Sequence, residues 1–220
     1  MIYPDKIIRS KRKSLAVCVD NLGTVIVRAP LRLSEEKIFA FLQEKEAWIQ
    51  DKKSKKQAVG LALPPENLDG YTFLLLGERC QITLIDGKKI GFDKENGRLF
   101  LPKENAKARL QKWLKENAKR IFSNVAQQKA KEMLVSHKSV RISSAKTRWG
   151  TCSADNRLCF TFRLLYAPKD VIEYVIVHEL SHVRHKDHSQ YFWREVEKYV
   201  PDWKKRRKWL KDHAILMEIF

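Results

Sequence analysis

His178, Glu179 and His182 stand as H-E-x-x-H directly after the apolar run VIEYVIV, and a further histidine, His188, follows six residues on. On a helix, positions four apart lie one turn apart on the same face, so the imidazoles of His178 and His182 can reach a single metal ion. Glu179 sits beside them, placed as a carboxylate that takes a proton from an attacking water. The chemistry such a set does is hydrolysis. Zinc takes nitrogen ligands at about 2.0–2.1 Å, and a catalytic site keeps three protein ligands with the fourth position open for water. The expected cofactor is therefore Zn2+, or another divalent transition metal.

The third ligand must come from beyond the helix. His185 shares the face of His178 and His182 if the helix simply continues, but at about 1.5 Å of rise per residue it would lie about 10 Å along the axis from His178. Three ligands cannot converge from one straight rod, so the helix should break after His182 and a later residue should return. His188 lies ten positions after His178, the interval found in H-E-x-x-H-x-x-G-x-x-H zinc proteases, although this chain has His185 where those have glycine. Glu195 and Glu197 are the rival ligands, since some zinc hydrolases recruit a carboxylate from the following helix. Asp187 or Ser189 is placed to cap that helix, which would run through Phe192, Trp193 and Val196. A hydrogen-bond donor or cation for the developing oxyanion is sought in KTRWGTCS, where Arg148 or Lys146 would reach substrate, Trp149 would anchor the loop and Gly150 would allow close backbone approach. Arg148 and Trp149 as simple packing braces is the competing reading.

Elements must position these groups. Leu15, Val17 and Val19 alternate, a turn falls at residues 20–23, and Val25 and Val27 alternate again, which predicts a hairpin. Ser34 before Glu35 and Glu36 predicts a helix N-terminus, with Ile38, Phe41, Leu42, Trp48 and Ile49 as its apolar stripe and the lysines from Lys52 to Lys56 at its end. YTFLLL, CQITLI and RLFL predict strands of a second β block between about 71 and 101, separated by Gly77, Asp86-Gly87 and Asn96-Gly97. A helix is expected from Glu104 to about Leu134, then strands at Val140–Ile142 and Leu158–Phe162, then the motif helix from Lys169 or Asp170. The fold class is α+β, with an N-terminal β-rich domain of hairpin and meander over 1–102 and a helical metal-site domain with a short sheet over 103–220.

Composition bounds the partners. With 220 residues, 44% of them hydrophobic, the chain buries a sizeable core, and no run approaches the roughly 18–20 apolar residues of a membrane helix. The basic N-terminus has no apolar signal core behind it, so the cytoplasm is the expected location. Cys18, Cys80, Cys152 and Cys159 form no C-x-x-C pair and read as free thiols, unless Cys152 and Cys159 face each other across a hairpin. The net charge of +18 attracts polyanions non-specifically, but the lysines and arginines are spread along the chain rather than gathered into a recognition element.

The run TRWGTCS, the strand RLCFTFRLLYAP, and VIEYVIVHELSHVRHKDHSQYFWREVEKYVPDWKKRRKWL together resemble the YgjP-like metallopeptidase-domain proteins, relatives of the SprT-like and WLM zinc-dependent proteases. RSKRKSLAVCVDNLGTVIVRAP, followed by a helix ending in EKEAWI, extends the resemblance over nearly the whole chain. The resemblance implies a zincin-like C-terminal domain, a short mixed sheet beside an active-site helix. It implies His178, His182 and His188 as zinc ligands and Glu179 as the catalytic base. The expected substrate is a peptide or protein, with a nucleoside triphosphate as the alternative for the same site. A basic nucleic-acid-associated protein with a structural metal is the rival from another class.

Overall fold

The computed structural model describes residues 2–20, 22–57 and 63–220. Two compact units emerge: Met1–Ala62 with Asp212–Ile215, and Leu63–Lys211 with Leu216–Phe220.

The first unit carries strands β1 (Lys6–Ser10), β2 (Ala16–Val19) and β3 (Val25–Pro30), in the order β1-β3-β2, with β1 parallel and β2 antiparallel to β3. The hairpin at β2 and β3 is the expected one. Asp20 closes its turn by accepting the Leu22 and Thr24 amides on its side chain, while Asn21 lies outside the described residues. The expected single helix is two, α1 (Glu35–Glu44) and α2 (Glu46–Gln57), broken at Lys45. Ser34 sits at the N-cap as expected but makes no side-chain capping bond. The break redirects the apolar stripe: Ile38, Leu42 and Ile49 join Val25, Val27 and Ala29 in the core, whereas Trp48 is 43% exposed. The lysines from Lys52 lie within α2 rather than beyond it.

The second unit opens with a four-stranded sheet of β4 (Thr72–Leu75), β5 (Glu78–Ile85), β6 (Gly91–Asp93) and β7 (Arg98–Pro102), ordered β4-β5-β7-β6. β5 and β7 are parallel, so the strands do not form the expected meander. Asp86-Gly87 consequently leads into β6 without pairing it to β5, whereas Asn96-Gly97 does close the β6–β7 hairpin. The β4–β5 turn places Leu76 and Gly77 at φ of 55° and 86°, the left-handed pair of a two-residue hairpin. Their amides donate to the Leu165 and Tyr166 carbonyls, at 2.8 and 3.3 Å. A Cβ at Gly77 would stand 2.8 Å from Cα of Pro168, so the turn seats directly against the residue that starts the motif helix. These bonds, and the packing of β7 on the long helix, tie the sheet to the helices of the same unit.

That helix, α3 (Ala106–Glu132), buries Leu110, Leu114, Ala118, Phe122, Ala126 and Ala130, one residue per turn. The alanines let neighbouring elements approach, and Phe122 meets Phe160 edge to face at 5.8 Å. Strands β8 (Ser139–Ser143), β9 (Gly150–Cys152) and β10 (Arg157–Thr161) form a mixed sheet in the order β8-β10-β9, with β8 parallel and β9 antiparallel to β10. Phe162, expected to extend the last strand, instead opens a buried 3-10 turn, Phe162–Tyr166. Buried Arg163 in that turn donates to the carbonyls of Ile219 (3.0 Å) and Ser144 (2.8 Å). Helices α4 (Lys169–Ser181), α5 (Gln190–Tyr199) and α6 (Trp203–Asp212) follow. Glu173 of α4 pairs with Lys129 of α3 and with Arg206 of α6 (3.3 Å), tying the motif helix to both. No helix among the described residues is long and apolar enough to cross a membrane.

Candidate metal centre

α4 begins just after Pro168 and buries Val171, Ile172 and Tyr174 to Val177, so the apolar run does carry the motif inward. His178 and His182 share one face, their ring centroids 5.1 Å apart. The helix ends at His182, where the chain turns through Val183, Arg184 and His185, whose amides bond back to Leu180 and Ser181. The turn is held from outside: Arg184 pairs with Glu195 and donates to the Met133 (2.7 Å) and Leu134 (3.2 Å) carbonyls. Lys186 donates to the Asn156 side chain at 2.8 Å. Asp187 accepts the Ser189 amide at the start of α5, although Ser189 itself makes no side-chain cap.

The reversal brings His188 back. One ring nitrogen from each of His178, His182 and His188 lies within 4.8 Å of the others, and Nε2 of His178 and His188 are 3.2 Å apart. Two ligand nitrogens at about 2.0–2.1 Å from a tetrahedral zinc would stand about 3.3–3.4 Å apart. The donor chemistry agrees. His182 Nδ1 lies 2.9 Å from the His185 carbonyl, which fixes its proton there and frees Nε2 for the cluster. Burial first, then the neighbouring histidines, depress the His178 pKa to about 3, and burial lowers that of His182, so both rings are neutral and keep their lone pairs at ordinary pH. The three histidines fit a divalent transition metal.

Aromatic rings set their orientation. Buried Phe192 stacks on His182 (4.5 Å, 29°) and meets His178 and His188 edge-on at 4.8 Å each. His178 Nδ1 is buried with no hydrogen-bond partner among the described residues, and Tyr174, Phe192 and Trp193 surround the ring. Phe192 and Trp193 were legible only as helix residues. The i+4 step from His188 to Phe192, and the step of one more to Trp193, are the signal that an aromatic wall backs His188.

Glu179 is 6% exposed, and burial pushes its carboxyl up to about 8. A divalent cation on the adjacent histidines would draw that value back down by Coulomb attraction. Across from it runs β9. A Cβ at Gly150 would fall 2.8 Å from both Cγ and Oε1 of Glu179, so only a glycine backbone lets the strand lie against the carboxylate. Gly150→Ala should therefore lower turnover by about 10²-fold through displacement of the carboxylate, with metal content unchanged. Metal analysis alongside steady-state rates checks this.

The other candidates separate. Glu195 is engaged by Arg184, and Glu197 is exposed on α5, so neither stands in the cluster. Lys146 pairs with Glu218 at 3.8 Å. Arg148 lines a cavity of about 260 Å³ with Ser143, Thr147, Thr151, Cys159 and Thr161. In the β9–β10 register Cys159 opposes Thr151, whereas Phe160 opposes Gly150, so that cavity opens on the face of the sheet away from Glu179. Neither cation makes a hydrogen bond, ion pair or ring contact with Glu179 or the three histidines among the described residues. The same register sends Cys152 and Cys159 to opposite faces, and all four cysteines are free.

Comparison with known proteins gives one family match, the YgjP-like metallopeptidase domain, over residues 13–213. Two solved structures are similar over part of the chain. The metallopeptidase zymogen of Pyrococcus abyssi abylysin is 23% identical, with a TM-score of 0.38, covering 41% of this chain and 92% of that one. The metallopeptidase zymogen of Methanocaldococcus jannaschii jannalysin is 15% identical, with a TM-score of 0.38, covering 41% of this chain and 93% of that one. No match is found among curated proteins.

Proposed function

The chain belongs to the YgjP-like metallopeptidase-domain family, and from that membership we propose that this metal-dependent hydrolase cleaves peptide bonds, with His178, His182 and His188 as metal ligands and Glu179 as general base. The observation that carries the choice of peptide is the position of β9. Among the described residues this strand pairs with β10 on one side only, and its first residue lies against Glu179. A free strand edge offers backbone N–H and C=O groups to an extended peptide. A peptide added there would pass the buried carboxylate and the three imidazoles, in a zincin-like arrangement of short sheet and helix.

A bound zinc, or another divalent ion, supplies Lewis acidity and lowers the pKa of water at the site toward about 7. Glu179 takes the proton released as water attacks the carbonyl and delivers it to the leaving amine. Gly150, having no Cβ, leaves the carboxylate the space it occupies against the strand. Phe192 and Trp193 exclude bulk water from one side of the histidines. Four free cysteines suit a reducing compartment, and the cytoplasm is the proposed location.

The test is a panel. The zinc-loaded protein is incubated with an unfolded protein, a set of peptides and the nucleoside triphosphates. New amino termini from the first two are the expected result. Release of diphosphate or phosphate from triphosphates, without peptide cleavage, would replace the reading with a nucleotide hydrolase.

A further inference from the structure

The Arg207 guanidinium stands beside the histidine cluster with no carboxylate partner among the described residues. Trp203, at the start of α6, stacks on Trp193 of α5 with centroids 4.2 Å apart and planes at 17°. Arg207, one turn later on α6, holds its guanidinium carbon 5.2 Å from the centre of the same Trp193 ring. Trp193 in turn stacks on His188 (5.7 Å, 28°) and lies 5.7 Å from His178. The guanidinium is thus two ring contacts from the histidine cluster, and its charge acts on His178 and on Tyr174.

The neighbouring arginine marks the contrast. Arg206 turns inward to Glu173 and Asp202 and serves the packing of α4. Arg207 is exposed and makes no ion pair among the described residues. A brace for Trp193 would need only the apolar stem of the side chain, since Trp203 already covers the ring. What the guanidinium adds is a planar fork of N–H donors, oriented in advance by the indole and matched to a carboxylate in bidentate geometry.

We propose that Arg207 is a specificity-determining residue that binds a carboxylate of the substrate peptide near the scissile bond, from an Asp or Glu side chain or from a free C-terminus. This rests on the peptidase reading given above. An extended peptide advances about 3.3 Å per residue, so two ring contacts place the carboxylate within about three residues of the reacting carbonyl. The general charge of +18 draws acidic substrates to the surface. Arg207 selects where along the peptide the negative charge must fall.

The experiment measures binding and cleavage separately. A neutral peptide blocked at both ends is varied by walking one Asp along it, with Asn at the same position as control, and by freeing its C-terminus. Affinities are measured on zinc-loaded Glu179→Gln protein, with and without Arg207→Gln or Arg207→Lys, and cleavage on the zinc-loaded protein with native Glu179. Circular dichroism and zinc content establish that each variant is folded and loaded. One carboxylate position, or the free C-terminus, should tighten binding by about tenfold over its neutral partner, and the position that does so identifies the source. Arg207→Gln should abolish that preference and leave the neutral peptide unaffected, and Arg207→Lys should restore only part of it, because an ammonium cannot bind in bidentate fashion. Equal losses for neutral and acidic peptides, or no preference for a carboxylate at any position, would overturn the proposal. An Arg207-dependent preference in a protein that cleaves none of the peptides would sustain the carboxylate site and remove the peptidase reading.

Discussion

Glu179→Gln should retain its metal and lose turnover by about 10²–10⁴-fold, the range a positioned general base contributes. The substitution is close to isosteric, so the side chain still fills the space against Gly150 and leaves the fold undisturbed. What it removes is basicity: an amide oxygen cannot hold the proton that water gives up on attack. The ligand set should be untouched, because the cluster is made by His178, His182 and His188 and does not include the carboxylate. Metal stoichiometry and peptide cleavage measured on the same preparation check both halves. Equal rates in the variant and the wild type would remove Glu179 from the chemistry, and joint loss of metal and activity would make it a ligand.

His188→Ala should strip the metal, while His185→Ala should largely retain it. His188 contributes a ring nitrogen 3.2 Å from that of His178 and closes a set of three that the helix alone leaves at two. Removal of an outer-sphere partner typically costs 10–100-fold in metal affinity, and loss of a ligand should exceed that. His185 acts through its main chain: its carbonyl, not its imidazole, meets His182 Nδ1, and alanine keeps that carbonyl. Competition with a chromophoric chelator measures both affinities. The reverse ranking would reassign the third ligand.

The parts of the centre that sequence reveals are those governed by helix geometry. Spacing puts His178 and His182 on one face, the rise per residue forbids His185, and the chain does turn after His182 to return His188. The parts it hides depend on partners distant along the chain. β9 is three residues, Gly150 to Cys152, too short to show an alternation, yet it supplies the backbone that confines Glu179. β1 is largely exposed, so its sequence KIIRS has no buried face to read. The parallel pairing of β5 with β7 overrides the turn signal at Asp86-Gly87, because a turn dipeptide reports a local bend and not which strand will lie alongside. Phe192 and Trp193 look like ordinary helix residues until the reversal places them against the imidazoles. Arg184 and Glu195 find each other across that same reversal, and their pairing takes Glu195 out of contention as a ligand.

The anchoring of α4 separates two properties that many small zinc domains merge. Its beginning is seated by the Gly77 turn against Pro168, its flank by Lys129 and Arg206 on Glu173, and the turn beyond it by Arg184 on the Met133 and Leu134 carbonyls. None of these contacts passes through a histidine of the cluster. In domains whose fold is nucleated by zinc, binding free energy is folding free energy and a chelator denatures the chain. Here the scaffold is assembled by its own side chains, so removal of the ion by a chelator should leave the fold standing.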